Sequence, residues 1–376
     1  MILIVPDYYK EFHCLAGECK DSCCIGWEID IDEETYDYYR TVTGKFGDRL
    51  MEGIQADENE RCFRLKNQRC FFLNEENLCE ICLNLHETAL CEICTEYPRV
   101  TLEYGCIREK CMALSCEEVG RLVFQHREPI TLEESTILSM EEEEEHLNEE
   151  MEALKCIRDF SIKILQMREY SFRTRLKSLL QWSEQVQQWM NEERMSVIQA
   201  KQLVDSFVID QGFTECVETK GQEYFAKRMD SFQKLEILDK EWQEIFRGMQ
   251  KKFSSKSMSS MEYQALHNEV ASVLKNRQWE YEHICVYFLF RYGMKAVYDY
   301  DYIGKVKLAV VSYLVIRDMD VYRYIQRDKE YQVEDRIDLT RIYSKEVEHS
   351  EENLETLAED FVFEEIYQVS SLISQI

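Results

Sequence analysis

Cysteines crowded toward the start of the chain are the side chains best suited to chemistry. Of the sixteen, all but Cys156, Cys216 and Cys285 lie between positions 14 and 116. Thiols at this density are typical of disulfides, zinc sites or iron–sulfur clusters. Adjacent Cys23 and Cys24 disfavour a series of disulfides, because neighbouring residues rarely both reach a partner at disulfide geometry. The first residues show no secretory signal, so we expect a cytoplasmic protein whose clustered thiols bind metal.

The spacing of these cysteines suits metal coordination and leaves the choice of metal open. Cys79 with Cys82, and Cys91 with Cys94, are C-x-x-C pairs. A tetrahedral zinc site draws on two such pairs. An iron–sulfur cluster also takes four thiolates at short local spacings. The sequence therefore predicts a thiolate-bound metal, and the number of cysteines permits two sites.

The charge of the chain limits its partners. The formal net charge is −28, which repels phosphate backbones and disfavours a nucleic-acid partner. Such a surface suits a protein partner that carries lysines. No apolar run approaches the roughly 20 residues that a membrane-spanning helix needs, so we expect no membrane partner.

Helix-breaking residues divide the chain into two regions. Prolines occur only at Pro6, Pro98 and Pro129, so no proline follows position 129. Apolar residues there recur at helical spacing, which predicts helices packed into a bundle. We predict helices over 150–174, 176–190, 194–208, 222–250, 259–275, 278–297, 303–326 and 351–374.

The first region contains more glycine, and its apolar runs are shorter. We predict helices over 34–52 and 116–127, with short strands at 25–31 and 99–104. The expected fold class is therefore mainly α: a cysteine-rich N-terminal domain organised by metal, with little β, followed by an all-α helical bundle. The predicted domains are 1–127 and 128–376, and a break near 210–222 could divide the second.

An ordered set of short segments resembles the flagellin lysine-N-methylase family. The segments are FHCLAGEC at 12–19, DSCCIGWEIDID at 21–32, CFFLNEENLCEI at 70–81, LCEICTEYPR at 90–99 and LSCEE at 114–118. The cysteine pattern also resembles that of small bacterial zinc- or iron-binding proteins. Two positions depart from the family's pattern, which has an aromatic residue in place of Cys82 and a proline in place of Glu117.

The resemblance implies an activity, a cofactor and a partner. The implied activity is S-adenosylmethionine-dependent N-methylation of lysine side chains on flagellin. The implied cofactor is an iron–sulfur cluster, of the 4Fe-4S type, with zinc as the alternative metal. Its ligands would come from Cys14, Cys19, Cys23, Cys24, Cys70, Cys79, Cys91, Cys94 and Cys116.

The methyl donor has no recognisable sequence motif. No G-x-G occurs in the chain, so a doubly wound nucleotide-binding domain is not expected. Methyl transfer needs a neutral lysine amine, and tyrosines with carboxylates could remove its proton. Tyr292 and Asp301, in the tyrosine-rich stretch 281–302, are the predicted catalytic residues. Arg291 is the predicted ligand of the donor carboxylate.

Two alternatives stay open at this point. The tyrosines could serve the core, and Arg291 could belong to a buried ion pair. The whole chain could also be a non-catalytic zinc- or iron-binding module on a helical scaffold that binds a partner.

Overall fold

The computed structural model describes residues 1–57, 61–137, 149–192, 195–210, 212 and 220–376. Cys216 and most of the predicted break near 210–222 lie outside these ranges. Within them the predicted fold class is confirmed, because helices dominate and the few strands lie near the start.

Four strands form the main sheet, in the order β6-β7-β1-β8. Strand β1 pairs in parallel with β7 and antiparallel with β8, and β6 pairs antiparallel with β7. Two small hairpins, β2 with β3 and β4 with β5, lie among the cysteines. The strands are β1 (Ile2–Pro6), β2 (Ile54–Ala56), β3 (Arg61–Phe63), β4 (Leu65–Lys66), β5 (Arg69–Cys70), β6 (Arg99–Tyr104), β7 (Ile107–Met112) and β8 (Leu132–Thr136).

Short helices connect these strands. They are α1 (Glu33–Thr41), α2 (Gly44–Glu52), α3 (Glu80–Leu85), α4 (Glu92–Glu96) and α5 (Glu117–Gln125). The predicted helix over 34–52 is broken in two, because Val42 and Thr43 are extended and Gly44, the first residue of the second helix, has a left-handed φ of +83°. The strand predicted at 25–31 is wrong, since this segment forms only two isolated bridges, at Ile25 and Asp30. Strand β6 confirms the strand predicted at 99–104, and helix α5 confirms the helix predicted over 116–127.

Every regular element of the described chain beyond Thr136 is helical. The helices are α6 (Glu149–Leu165), α7 (Phe172–Glu192), α8 (Val197–Ser206), α9 (Gly221–Phe232), α10 (Lys240–Lys252), α11 (Ser260–Val273), α12 (Trp279–Tyr292), α13 (Ala296–Asp299), α14 (Tyr302–Gln326), α15 (Val333–Glu348), α16 (Glu351–Phe363) and α17 (Val369–Gln375). Helix α14 is the longest and packs against α7, α12, α15 and α16. Helix α15 has no counterpart among the predicted helices.

The interior consists of two apolar clusters. The larger one joins residues of β1 and β7 to the helices that follow, so the sheet packs on the bundle. The smaller one lies within residues 24–94 and includes buried Cys70 and Cys91. None of the helices in the described part of the chain combines the length and apolarity that a bilayer crossing requires.

Candidate functional site

Packing against the smaller core separates the predicted cysteine ligands into two sets. Five of them, the inner set, pack in or against the smaller core: Cys24, Cys70, Cys79, Cys91 and Cys94. The other four, the outer set, are Cys14, Cys19, Cys23 and Cys116. Within the outer set Cys14 and Cys23 are exposed, while Cys116 packs against the larger core. All cysteines in the described ranges are free thiols.

The sequence Cys-Glu-Ile-Cys occurs twice in the inner region and folds in the same way each time. Cys79 immediately precedes α3 and Cys91 immediately precedes α4. A hydrogen bond from the Cys82 thiol lowers the pKa of Cys79 to about 6, and one from Cys94 lowers the pKa of Cys91. Each turn therefore favours one thiolate, which is the form of cysteine that binds metal.

The thiols lie in pairs and do not form complete sets of four metal ligands. Among the residues that the structure describes, no three His, Cys, Asp or Glu side chains are placed to hold a metal ion. The donor chemistry nevertheless fits a thiophilic metal, because so many thiols converge and two of them favour the thiolate.

Helix α15 holds the cysteine loop against the helical bundle. Arg341 and Lys345, one turn apart, both contact Asp21 of the loop, at 2.6 and 3.0 Å. Gly26 has a φ of +93°, and a Cβ there would lie 3.3 Å from the Lys345 Nζ atom. The loop therefore needs glycine at this position to approach the helix.

Three rings, the aromatic group, lie where the loop meets the end of α15. Trp27 is 6.0 Å from Tyr97 and 5.7 Å from His349, measured between ring centroids. The Trp27 indole donates to the Cys23 carbonyl, while Tyr97 and His349 each hydrogen-bond the Ser115 hydroxyl. Ser115 precedes Cys116, so the rings connect the outer cysteines to α15. Burial lowers the pKa of His349 to about 4, which keeps this ring neutral at pH 7.

A groove of about 520 Å³ opens beside Tyr97, over strands β6 and β7. It carries both signs of charge and only two apolar or aromatic side chains. Its lining residues are Glu92, Ile93, Glu96, Tyr97, Arg99, Thr101, Glu103, Arg108 and Lys110. Three carboxylates and three cations line the groove, and two of the carboxylates are paired: Glu103 lies 2.6 Å from Arg108, and Glu96 lies 3.9 Å from Lys110.

Arg291 and Tyr292, two of the predicted site residues, come together around a buried carboxylate. The Glu348 side chain is fully buried and lies 3.1 Å from the Arg291 Nε atom. Tyr287 and Tyr292 donate to the same carboxylate at 2.8 and 2.9 Å. Burial, and then the charge of Glu348, raise the pKa of Tyr292 well above its usual value. Tyr292 therefore stays protonated at neutral pH.

Asp301 has different contacts from those of the cluster around Glu348. It caps α14, where its side chain accepts a hydrogen bond from the backbone N–H of Gly304 at 2.9 Å. The neighbouring tyrosines also have separate partners: Tyr298 bonds the Glu103 carbonyl, and Tyr302 bonds Ser161. The structure thus does not gather the predicted tyrosine-rich stretch into one pocket.

Sequence patterns missed Glu348 and His349 because no helix was predicted over 327–350. The usable signal was the spacing of Arg341, Lys345 and His349, which stand four residues apart on one helical face. Two cations on one face, Arg341 and Lys345, indicate a helix that meets an acidic segment.

The same helix carries a carboxyl group that makes stability depend on pH. Burial raises the pKa of Glu346 to about 7, from an ordinary value of 4.5. The folded state therefore binds more protons than the unfolded state between these values, so the stabilisation is complete below pH 4.5 and is lost as pH rises through 7. We expect Glu346→Gln to reduce the fall in melting temperature between pH 5 and 8, measured by thermal melts.

An amide at position 346 keeps the oxygen that accepts from the backbone N–H groups of Leu238 and Asp239. The exposed control Glu359→Gln should leave the pH profile as it is. Equal slopes for the wild type and Glu346→Gln would contradict the raised pKa.

Comparison with known proteins identifies relatives for the helical region. The sequence profile of the FliB lysine N-methylase C-terminal domain matches residues 158–375. A lysine-N-methylase of Salmonella typhimurium is 23% identical over 140 residues, and one of Salmonella choleraesuis is 24% identical over 144. Each alignment covers 35% of this chain and 35% of the relative, so the chain spans about a third of the length of these relatives.

A third relative is matched over most of its own length. The flagellar biosynthetic protein FliU of Salmonella muenchen is 25% identical over 141 residues, which cover 36% of this chain and 83% of the relative. No solved structure matches the chain.

Proposed function

The chain belongs to the FliB lysine N-methylase family, and on that premise we propose that it transfers methyl groups from S-adenosylmethionine to lysine side chains of flagellin. One structural observation supports the proposal in addition to membership of the family. The loop at 21–27, which holds part of the family-like cysteine pattern, lies against α15 inside the range that the family profile matches. Two separate family resemblances therefore meet at one place, around Trp27 and His349.

The groove beside that place has two features that suit a lysine substrate. Glu92 and Glu96 can attract an ammonium group, Glu96 in exchange for its 3.9 Å contact with Lys110, and the Tyr97 ring suits a cation at close range. In the transfer, the lysine Nζ lone pair forms a bond to the methyl carbon while the carbon–sulfur bond of the sulfonium breaks. S-adenosylhomocysteine leaves, and the proton that the nitrogen loses passes to a base.

We further propose that the cysteines bind an iron–sulfur cluster. Support comes from the donor set, with nine thiols in two neighbouring sets and a favoured thiolate in each Cys-Glu-Ile-Cys turn. When bound, such a cluster supplies electron transfer, or an open iron site for the amino and carboxylate groups of the donor. Zinc on the same thiolates is the alternative, and metal and sulfide analysis of anaerobically purified protein distinguishes the two.

The activity is tested by incubating the metal-loaded protein with S-adenosylmethionine and purified flagellin under anaerobic conditions. We expect mass spectrometry to find methyl groups on flagellin lysines, and Glu92→Gln with Glu96→Gln to reduce the yield. The matched control is Glu359→Gln, an exposed carboxylate on α16. If intact, metal-loaded protein binds no donor and leaves flagellin unmodified, the chain is a metal-binding module without catalytic activity.

Substitutions at Asp301 separate its role as a helix cap from its predicted catalytic role. Asparagine caps helices about as well as aspartate, whereas alanine costs about 1 kcal/mol. We expect Asp301→Asn to keep the melting temperature and to slow methyl transfer more than donor binding, and Asp301→Ala to lower both stability and rate. The measurements are thermal melts and the initial rate of flagellin methylation. Unchanged rates for Asp301→Asn would limit this residue to its capping role.

A further inference from the structure

We infer that strand β6 binds the protein substrate as an added antiparallel strand, so that the target lysine lies in an extended segment. The inference rests on the proposed lysine methylation and adds how the chain holds its substrate. Strand β6 lies at one end of the main sheet, with β7 on one side and no strand of the described chain on the other. Proteins commonly bind extended peptides by adding them to such an edge.

The main-chain groups of β6 point alternately toward β7 and away from it. The Pro98 carbonyl, just before the strand, accepts a hydrogen bond from the Ala113 N–H at 2.8 Å. Because hydrogen-bonded positions alternate in an antiparallel pair, every second residue after Pro98 bonds β7. The N–H and carbonyl groups of Arg99, Thr101 and Glu103 therefore point away from the sheet. The strand thus offers three positions at which a further strand can pair.

Tyr298 occupies one end of this edge. Its hydroxyl donates to the outward carbonyl of Glu103 at 3.1 Å, and its ring stacks on Tyr104 with 5.9 Å between the centroids. That hydrogen bond agrees with the alternation, since it reaches the strand from outside the sheet. Thr101, at the centre of the edge, is exposed. In the described ranges no hydrogen bond from another element reaches its main-chain groups.

The side chains of the same three residues point into the groove. Side chains alternate between the two faces of a strand, also with a period of two. Arg99, Thr101 and Glu103 all line the groove, and so does Lys110, the partner of Thr101 on β7. The residue opposite Thr101 on an added antiparallel strand exchanges both hydrogen bonds with it and has its side chain on this face. A lysine at that position therefore enters the groove.

One carboxylate of the groove is available to the ammonium group of that lysine. Glu92 is exposed and forms no ion pair within the described part of the chain, in contrast to Glu96 and Glu103. A cation beside Glu92 also reduces the self-repulsion of a chain whose net charge is −28. The occupant that fits this edge is an extended peptide segment with a lysine on the groove side.

The test compares two isomers of a synthetic nonapeptide that has a central lysine flanked by alternating valine and threonine. The first isomer carries methyl groups on the backbone nitrogens of the lysine and of the residue two positions after it, whose N–H groups would bond the carbonyls of Thr101 and Arg99. The second carries them on the two residues next to the lysine, whose N–H groups point away from β6. We expect the full-length chain, purified anaerobically and without donor, to bind the first isomer about 30-fold more weakly, the loss that two hydrogen bonds give. Fluorescence anisotropy of the labelled peptides measures both affinities.

A proline substitution tests the same edge from the side of the protein. Thr101→Pro removes an outward N–H group and leaves the hydrogen bonds to β7 in place. We expect it to weaken binding of the second isomer by about 5-fold or more. The matched control is Thr136→Pro on β8, at the other end of the sheet. Its N–H also points outward, because the next residue, Ile137, donates to the Met1 carbonyl.

Thermal melts of both proline variants show whether the sheet stays folded. If Thr101→Pro melts well below Thr136→Pro, the two isomers on the wild-type chain still decide the question. Equal affinity for the isomers, tighter binding of the first, or no binding of the second would overturn the inference. A wild-type dimer that Thr101→Pro converts to a monomer would overturn it too, because the edge would then bind a second copy of the chain.

The outcome for the binding mode is separable from the outcome for the proposed function, because no methyl donor is present. Flagellin methylation together with equal isomer affinities removes this inference alone. Distinct isomer affinities in a protein that leaves flagellin unmodified remove the proposed function and keep the peptide-binding edge.

Discussion

Replacing Glu348 with methionine should destabilise the protein by about 3–5 kcal/mol, because it leaves the buried Arg291 guanidinium without its counter-charge. The same change removes the acceptor for Tyr287, Tyr292 and Ser344, all of which donate to this carboxylate. The measurement is the free energy of unfolding from denaturant titration. The exposed control Glu355→Met should change it by no more than about 0.5 kcal/mol.

A double-mutant cycle identifies the cause of this loss. Glu348→Met with Arg291→Met removes both charges, so the pair should lose about 1–3 kcal/mol less than the sum of the single changes. Additive losses would contradict an ion pair. The cycle also tests the predicted role of Arg291 toward the donor. If Arg291 binds the donor carboxylate, Arg291→Met lowers S-adenosylmethionine affinity in calorimetry, and Glu348→Met at equal stability does not.

If the cysteines hold metal as proposed, its removal should unfold residues 24–94 and leave the helical bundle intact. The smaller core contains only eleven buried residues, and two of them are cysteines. A core of this size does not hold a domain by apolar burial alone. On the proposal that the thiolates bind metal, the metal supplies the rest, on the order of 10 kcal/mol for structural zinc in small peptides.

Hydrogen exchange before and after anaerobic chelation measures this effect region by region. Amides of α12 and α14, which line the larger core, should keep their protection and serve as the internal control. Equal protection of residues 24–94 with and without metal would show that the smaller core folds without help.

The helical region was predictable because its apolar residues repeat at helical spacing and no proline interrupts them. Helix α15 escaped prediction for a physical reason. Thirteen of its sixteen residues are buried, including Arg336, Glu346 and Glu348, which bond to groups on other parts of the chain. A helix that is buried on most sides, with polar residues between its apolar ones, gives no single apolar stripe, so periodicity does not find it.

The candidate site could be predicted from the sequence only where the residue type by itself indicates a function. The cysteines and their order indicated where the thiols gather, and the metal itself stays a prediction. Arg291 with Tyr292 marked a real polar cluster. Its centre, Glu348, belongs to the helix that was not predicted. The alternative of a buried ion pair for Arg291 depends on that carboxylate, which only the tertiary structure brings within 3.1 Å. Likewise, the meeting of Trp27 with His349 depends on long-range packing.

The position of β1 inside the main sheet has a consequence for synthesis on the ribosome. This strand precedes both its neighbours by a long stretch of sequence: Met1 and Ile137, which close the far end of its pairing with β8, are 136 positions apart. Contacts of such separation form late and slowly. During that interval every cysteine from Cys14 to Cys116 has left the ribosome while the sheet is incomplete. The nascent thiols are therefore open to metal ions and to oxidants before the sheet is complete.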